Sequence, residues 1–238
     1  MNNLNQLGEF KSLGELRSSE LNRAAKTLGL AGVVHLGYRD SGMPGTDDNK
    51  HPEALAVVPQ DEVSEHIVKV IRNLQPDVVI THDPIGGYRH PDHVVVHNAT
   101  VKAFEIAADP TRYPEAGSAF QPQKLYFHVF PRKLLKVVVK LMPFFGQDPR
   151  HFGQNKDVDL ASLAQVDFPI HAVTCPTKAA VRRRNEAMLC YASQRGNGPP
   201  RRNILFLFRR FWVQRDSFMR AYPPVKGGQE HDLFENVS

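Results

Sequence analysis

The chain has 238 residues, 41% of them hydrophobic, and a formal net charge of +5. That length suits one α/β domain with a real core, and the charge is too mild to mark a nucleic-acid-binding protein by itself. Two cysteines, Cys175 and Cys190, are too few for a disulfide framework or a zinc knuckle, and a reducing cytoplasm is the expected location. The first ten residues are polar and show no signal-peptide pattern. The longest greasy stretch, Leu134 to Phe145, is interrupted by Lys136, Lys140 and Pro143, so no membrane span is expected.

In chain order, Ser18 to Leu30 reads as a helix capped by Ser18 or Ser19, with Leu21, Ala24, Ala25 and Leu28 on one face and Gly29 as its stop. Val33 to Leu36 is a short β-branched run that predicts a strand. The segment from Gly37 to Glu53, crowded with Gly, Pro, Asp and Asn, predicts a loop. A second helix is expected over Pro59 to Leu74, ended by Pro76. The continuous apolar run from Asp77 to Ile80 then has the pattern of a parallel strand covered on both faces. Thr81 to Arg89 is a loop containing Gly86-Gly87. Pro91, favoured in a first helical turn, opens a helix to about Ala108.

Lys124 to Phe130 predicts another strand. Beyond Pro131 the pattern changes: helix over Arg132 to Phe145, irregular chain from Gly146 to Phe168, a charged helix over Thr177 to Gln194, an aromatic-rich helix over Asn203 to Ala221, and a loose tail from Tyr222. The alternation of helix and strand predicts an α/β, Rossmann-like fold with a mostly parallel sheet flanked by helices, plus a small C-terminal helical or irregular region. Residues 1–131 are expected to form an incomplete catalytic core, and 132–238 a substrate-side region packed on the same domain. The core is incomplete because the chain opens on a helix, where a doubly wound sheet normally opens on its central strand.

Chemistry concentrates in one place. The run Thr81-His82-Asp83-Pro84-Ile85-Gly86-Gly87-Tyr88-Arg89-His90-Pro91-Asp92-His93, followed by His97, holds four of the eleven histidines. With a helix opening at Pro91, His93 and His97 share one face, and imidazoles so placed can bind a metal. A lone pair of histidines at that spacing is more often packing, and His97 reads that way. A second concentration, Leu36-Gly37-Tyr38-Arg39-Asp40-Ser41-Gly42-Met43, puts an arginine and an aspartate in a glycine-flanked loop. They can hold sugar hydroxyls by charge-assisted hydrogen bonds, or pair internally and simply order the loop.

These two stretches, with Tyr191-Ala192-Ser193-Gln194 and Phe218-Met219-Arg220-Ala221-Tyr222-Pro223-Pro224, resemble the LmbE-like (PIG-L) family of sugar N-deacetylases. That family includes enzymes of N-acetylglucosaminyl-phosphatidylinositol, mycothiol and bacillithiol pathways. The resemblance implies a zinc-dependent hydrolase that removes acetyl from an N-acetylglucosamine-type conjugate, another divalent metal being an alternative. It implies His93 as a zinc ligand, His90 as the histidine that meets the transition state or protonates the leaving amine, and Tyr88 as a donor to the oxyanion. Asp92 would orient a histidine, and Arg39 and Asp40 would lie near the sugar. Arg89 stands where many members have glycine.

The family's N-terminal His-Pro-Asp-Asp signature, source of the other two metal ligands and the general base, is not found in these residues; His51-Pro52-Glu53 resembles it only superficially. The expectation is therefore that the first strand and metal helix are absent, and that an upstream coding segment would restore them. His82, Asp83 or Asp47 are the local candidates for substitute ligands. The rival reading is a catalytically dead sugar-binding member. The expected partner is a small N-acetylated sugar conjugate, with no nucleic acid and homo-oligomerisation left open. The late arginines with Phe206, Phe208, Phe211 and Trp212 read as a basic helix packing its aromatics inward rather than as an RNA surface.

Overall fold

The computed structural model describes residues 10–153, 156–194 and 215–238. In chain order the elements are α1 (Leu13–Leu28), α2 (Gln60–Leu74), β1 (Val78–His82), the kinked turn α3 (Gly86–Arg89), α4 (Pro91–Ile106), β2 (Lys124–Val129), α5 (Arg132–Leu141), the single turn α6 (Leu160–Leu163), β3 (Ala172–Thr174), α7 (Lys178–Leu189) and β4 (Asp216–Tyr222). No helix among the described residues is long and apolar enough to cross a membrane.

The chain divides into two compact units, residues 1–35 with 176–214, and 36–175 with 215–238. In the first, α1 starts at Leu13 rather than Ser18, because Ser12 caps it: its Oγ accepts the Glu15 N–H at 3.1 Å. Gly29, in the left-handed region at φ 78°, ends the helix as expected. Glu20 is buried within this unit, where its carboxylate accepts both the backbone N–H and the hydroxyl of Ser193 at 2.7 Å. Residues 33–36 form no strand: they are largely exposed, and no neighbouring strand offers them a ladder among the described residues.

The second unit holds a four-stranded sheet in the order β1-β2-β4-β3. β1 and β2 run parallel, from Val78 opposite Lys124 to His82 opposite His128. β4 is antiparallel to both β2 and β3. The α/β layering matches the sequence reading; the sheet is mixed, with β1 and β2 parallel and a parallel bridge from Ala172 of β3 to Glu230.

Three details correct that reading. Residues 216–222 form strand β4, not the end of a helix, since their alternating Ser217, Phe218 and Met219 fill positions on both sheet faces; residues 203–214 of that expected helix lie outside the described part. Ala172–Thr174 is a further strand within a segment that gave no strand signal. The tail is packed: Glu230 and Leu233 are buried.

Burial explains the layering. Val68 and Ile71 of α2 meet Ala103 of α4 and Ala107 at its end, while Phe104 of α4 lies on Leu125, Phe127 and Val129 of β2. The opposite face of β2 presents Tyr126 to Phe218, Ala172 and Leu233. Strand β2 is thus covered on both sides, and its buried Lys124 is met by Glu230.

Two polar devices fix the periphery. Buried Arg72 donates to five carbonyls, those of Ala107, Asp109, Arg112, Tyr113 and Gly117, at 2.7–3.3 Å, and so shapes the loop after α4. Buried Glu230 accepts from Lys124 Nζ (2.8 Å), Tyr126 Oη (2.7 Å) and Arg220 Nη1 (2.6 Å), which anchors the tail to the sheet.

Candidate active site

The site lies at the carboxyl end of β1, where open α/β sheets place their ligands. Asp83 follows β1 and is inaccessible to solvent. Its Oδ1 accepts the Gly87 N–H at 2.7 Å, its carbonyl accepts the Gly86 N–H at 2.9 Å, and its Oδ2 lies 3.6 Å from the buried Arg132 guanidinium. These contacts hold the loop in a shape that only glycine fits at position 86: φ is +67°, and an added Cβ would come within 2.9 Å of Val94 and 3.0 Å of His93.

α4 then begins at the mouth of the site. His90 is its N-cap, its Nδ1 accepting the Asp92 N–H at 3.3 Å, and Pro91 occupies the first turn. Since Nδ1 accepts, the His90 proton sits on Nε2. His93 lies within hydrogen-bonding reach of the Gly86 carbonyl, Nδ1 to oxygen 3.2 Å. A carbonyl only accepts, so Nδ1 carries the proton and Nε2 keeps its lone pair. Burial depresses the His93 pKa, so the ring is held neutral although the Gly86 carbonyl opposes the shift.

The ring centroids of His90 and His93 are 5.0 Å apart, and Tyr88 packs edge-on at 5.2 Å from His93 and 5.8 Å from His90. Burial, reinforced by Asp40, Asp157 and Asp92, raises the Tyr88 pKa, so its phenol stays a hydrogen-bond donor.

The second loop reaches the same place through Asp92. Its Oδ2 accepts the Ser41 N–H at 3.1 Å, and its buried Oδ1 has no hydrogen-bond partner among the described residues. Asp40, His90 and Asp92 each offer a ligand atom, all within 4.8 Å of one another, a grouping that can hold a metal ion. Tyr88, His90, Asp92, His93 and Asp40 therefore converge. Arg39 pairs instead with Asp48 at 2.7 Å, both about half exposed, so its charge is engaged in ordering the loop.

The donor set suits a divalent cation: neutral imidazole with a free Nε2, carboxylates, and one orphaned buried carboxylate oxygen. Of the three local substitutes considered, Asp47 is exposed in a short turn and Asp83 is committed to Gly87 and Arg132. His82 stacks on His93 with parallel rings, so its in-plane lone pairs do not converge with those of His93 on a common ion. His97 is a packing residue, Nδ1 donating to the His82 carbonyl at 2.7 Å and its ring edge-on to Phe127.

Two partners were invisible in the sequence, the Ser41 amide on Asp92 and Asp157 near Tyr88; neither had any spacing signal, since loop closure in space creates both.

Comparison with known proteins fits this arrangement. The family described as "PIG-L: GlcNAc-PI de-N-acetylase" matches residues 2–104. A 1D-myo-inositol 2-acetamido-2-deoxy-alpha-D-glucopyranoside deacetylase of Thermomonospora curvata is 33% identical over 244 aligned positions, which cover 94% of this chain and 77% of that protein. The chain belongs to the PIG-L family. A protein of the same description from Geodermatophilus obscurus is 37% identical over 186 residues, covering 76% of this chain and 63% of the relative, so the match spans less than two thirds of that PIG-L protein's length. The fold resembles that of a conserved protein from Thermus thermophilus, with a TM-score of 0.57, 21% identity, and coverage of 94% and 81% of the two chains.

Proposed function

We propose that this chain carries part of the active site of a zinc-dependent N-deacetylase acting on an N-acetylglucosamine-type sugar conjugate. The observation that carries the reading is the pair of imidazoles at the α4 mouth: His93, with Nδ1 tied to the Gly86 carbonyl and Nε2 free, 5.0 Å between ring centroids from His90. The relatives named above act on an acetamido sugar joined to inositol, which favours an amide of that class as substrate.

His93 Nε2 would hold the metal, and Asp40 and Asp92, grouped with His90, are the candidate carboxylates beside it. When bound, such an ion polarises an amide carbonyl and acidifies water. The chain's own residues do the rest. Tyr88, kept protonated, donates to oxygen as negative charge develops there. His90, with its proton on Nε2, donates a hydrogen bond to charge developing at the amide. Asp92, fixed by the Ser41 amide, holds His90 through its own backbone N–H, which donates to His90 Nδ1. Asp40 and Arg39 lie on the loop that faces the sugar.

The grouping of Asp40, His90 and Asp92 and the assignment of the ion to His93 compete for His90. We favour His93, because the carbonyl that takes its Nδ1 proton presents the other nitrogen as a ligand, whereas His90 Nδ1 is spent on the helix cap. Elemental analysis of the purified chain and acetate release from an N-acetylglucosaminyl inositol test the reading. His93→Ala should abolish bound zinc, and Tyr88→Phe should retain zinc while lowering kcat by about a hundredfold. Full activity in His93→Ala would refute it.

A further inference from the structure

β1 ends at His82, and the ring of this residue lies flat against the ring of His93: centroids 3.9 Å apart, planes 6° from parallel. Both members of the stack are tied down elsewhere. His93 is fixed by the Gly86 carbonyl. His82 is fixed by the ladder that pairs it with His128, and by His97, whose Nδ1–H donates to the His82 carbonyl at 2.7 Å from one turn further along α4. His97 in turn is buried edge-on against Phe127 of β2, at 4.6 Å between ring centroids. The ring nitrogens of His82 make no hydrogen bond among the described residues. The flat face is therefore what this side chain contributes.

We propose that His82 is a positioning residue for His93: its ring is a wall that fixes the plane of the His93 imidazole and keeps Nδ1–H on the Gly86 carbonyl and Nε2 turned to the site. The inference rests on the reading of His93 as a metal ligand, and its structural half holds without any metal.

Parallel rings at this separation leave each other's edges free. The wall does not block the His93 lone pair, and it cannot share an ion with it, since a metal sits about 2.0–2.1 Å from each imidazole nitrogen along an in-plane direction. What it removes is rotation of the His93 ring about its Cβ–Cγ bond. The Gly86 hydrogen bond alone, at 3.2 Å, is a weak restraint on that rotation. A flat ring is needed and a particular nitrogen is not, so phenylalanine should replace His82 where leucine and alanine cannot.

The test uses the whole chain and two readouts. Long-range proton–nitrogen NMR of the metal-free protein reports the His93 tautomer, and cobalt competition against a chromophoric chelator reports metal affinity. Wild type and His82→Phe should show His93 protonated on Nδ1, with cobalt affinities within about twofold of each other. His82→Leu and His82→Ala should show averaged nitrogen shifts and bind cobalt roughly tenfold more weakly, the lower end of what losing a supporting partner costs a metal site. His82→Leu fills the space and guards against simple unfolding in the alanine variant.

An unchanged His93 tautomer in His82→Leu overturns the proposal, as does a His82→Phe variant that behaves like leucine. If wild type takes up no cobalt, the metal reading of His93 fails, and the tautomer comparison alone decides whether His82 positions the ring.

Discussion

Replacing Gly86 with alanine tests the packing on which the site depends. Gly86 has φ +67°, and a Cβ built on it would lie 2.9 Å from Val94 Cγ2, 2.9 Å from the Val94 backbone nitrogen and 3.0 Å from His93 Cβ. The left-handed backbone costs a non-glycine residue roughly 1–2 kcal/mol. Relieving the clash costs about 1–3 kcal/mol more, because one of the colliding atoms is backbone in the first turn of α4. A total near 3 kcal/mol should lower the melting temperature by roughly 6–12 °C for a chain of this size. Gly45 provides the control: its φ is +86°, but a Cβ there meets nothing within 4 Å. Gly45→Ala should lose only the backbone part, roughly 2–8 °C. Thermal unfolding followed by far-ultraviolet circular dichroism compares the two. Equal melting temperatures for Gly86→Ala and Gly45→Ala would refute the close approach of the Gly86 loop to α4, and with it the Gly86 anchor of His93.

Arg72→Lys should destabilise by about 2–4 kcal/mol in urea unfolding, since one ammonium has three donors for five carbonyls that a guanidinium fork satisfies; a change below about 0.5 kcal/mol would show that the loop after α4 does not depend on this clamp. Burial depresses the pKa of His128 below its usual 6.5, Asp216 and Asp83 opposing, so the ring is neutral in the fold and binds more protons when unfolded. Its contribution to stability is complete above pH 6.5 and is lost as pH falls through the depressed value. Urea midpoints should therefore drop between pH 7.5 and 5, and drop less in His128→Phe; identical slopes in the two proteins would contradict this.

How much of this was legible in the sequence depended on whether the cause was local. Helix α2, strands β1 and β2 and the start of α4 at Pro91 carry their own periodicity, caps and breakers, and each was readable within a residue or two. The helix start at His90-Pro91-Asp92 was readable because a cap, a proline and a first-turn carboxylate are local signals. β4 was not, because Phe218, Met219 and Tyr222 fit an apolar helix face as well as a strand, and only the antiparallel partner β2 decides between them. Val33 to Leu36 failed the other way: β-branched residues favour a strand only where another strand is there to pair. Adjacency places Arg39 beside Asp40, but the loop folds it onto Asp48, nine residues away.

The His-Pro-Asp-His segment is legible for a further reason, which joins helix capping to chemistry. His90, Pro91, Asp92 and His93 are the N-cap and the first three residues of α4, and each does what a helix start requires. The cap accepts an orphan N–H, proline supplies the preset φ, and the carboxylate lies at the positive end of the helix dipole. Those duties also set the reactive forms. Because His90 Nδ1 accepts the Asp92 amide, its proton is placed on Nε2. Because the loop carbonyl of Gly86 meets the third helical residue, His93 is protonated on Nδ1 and bare on Nε2. One helix mouth thus presents a donor nitrogen and an acceptor nitrogen whose ring centroids are 5.0 Å apart. Both tautomers follow from where α4 begins, since the Asp92 amide that meets His90 and the turn that brings His93 to the Gly86 carbonyl are set by the same helix start.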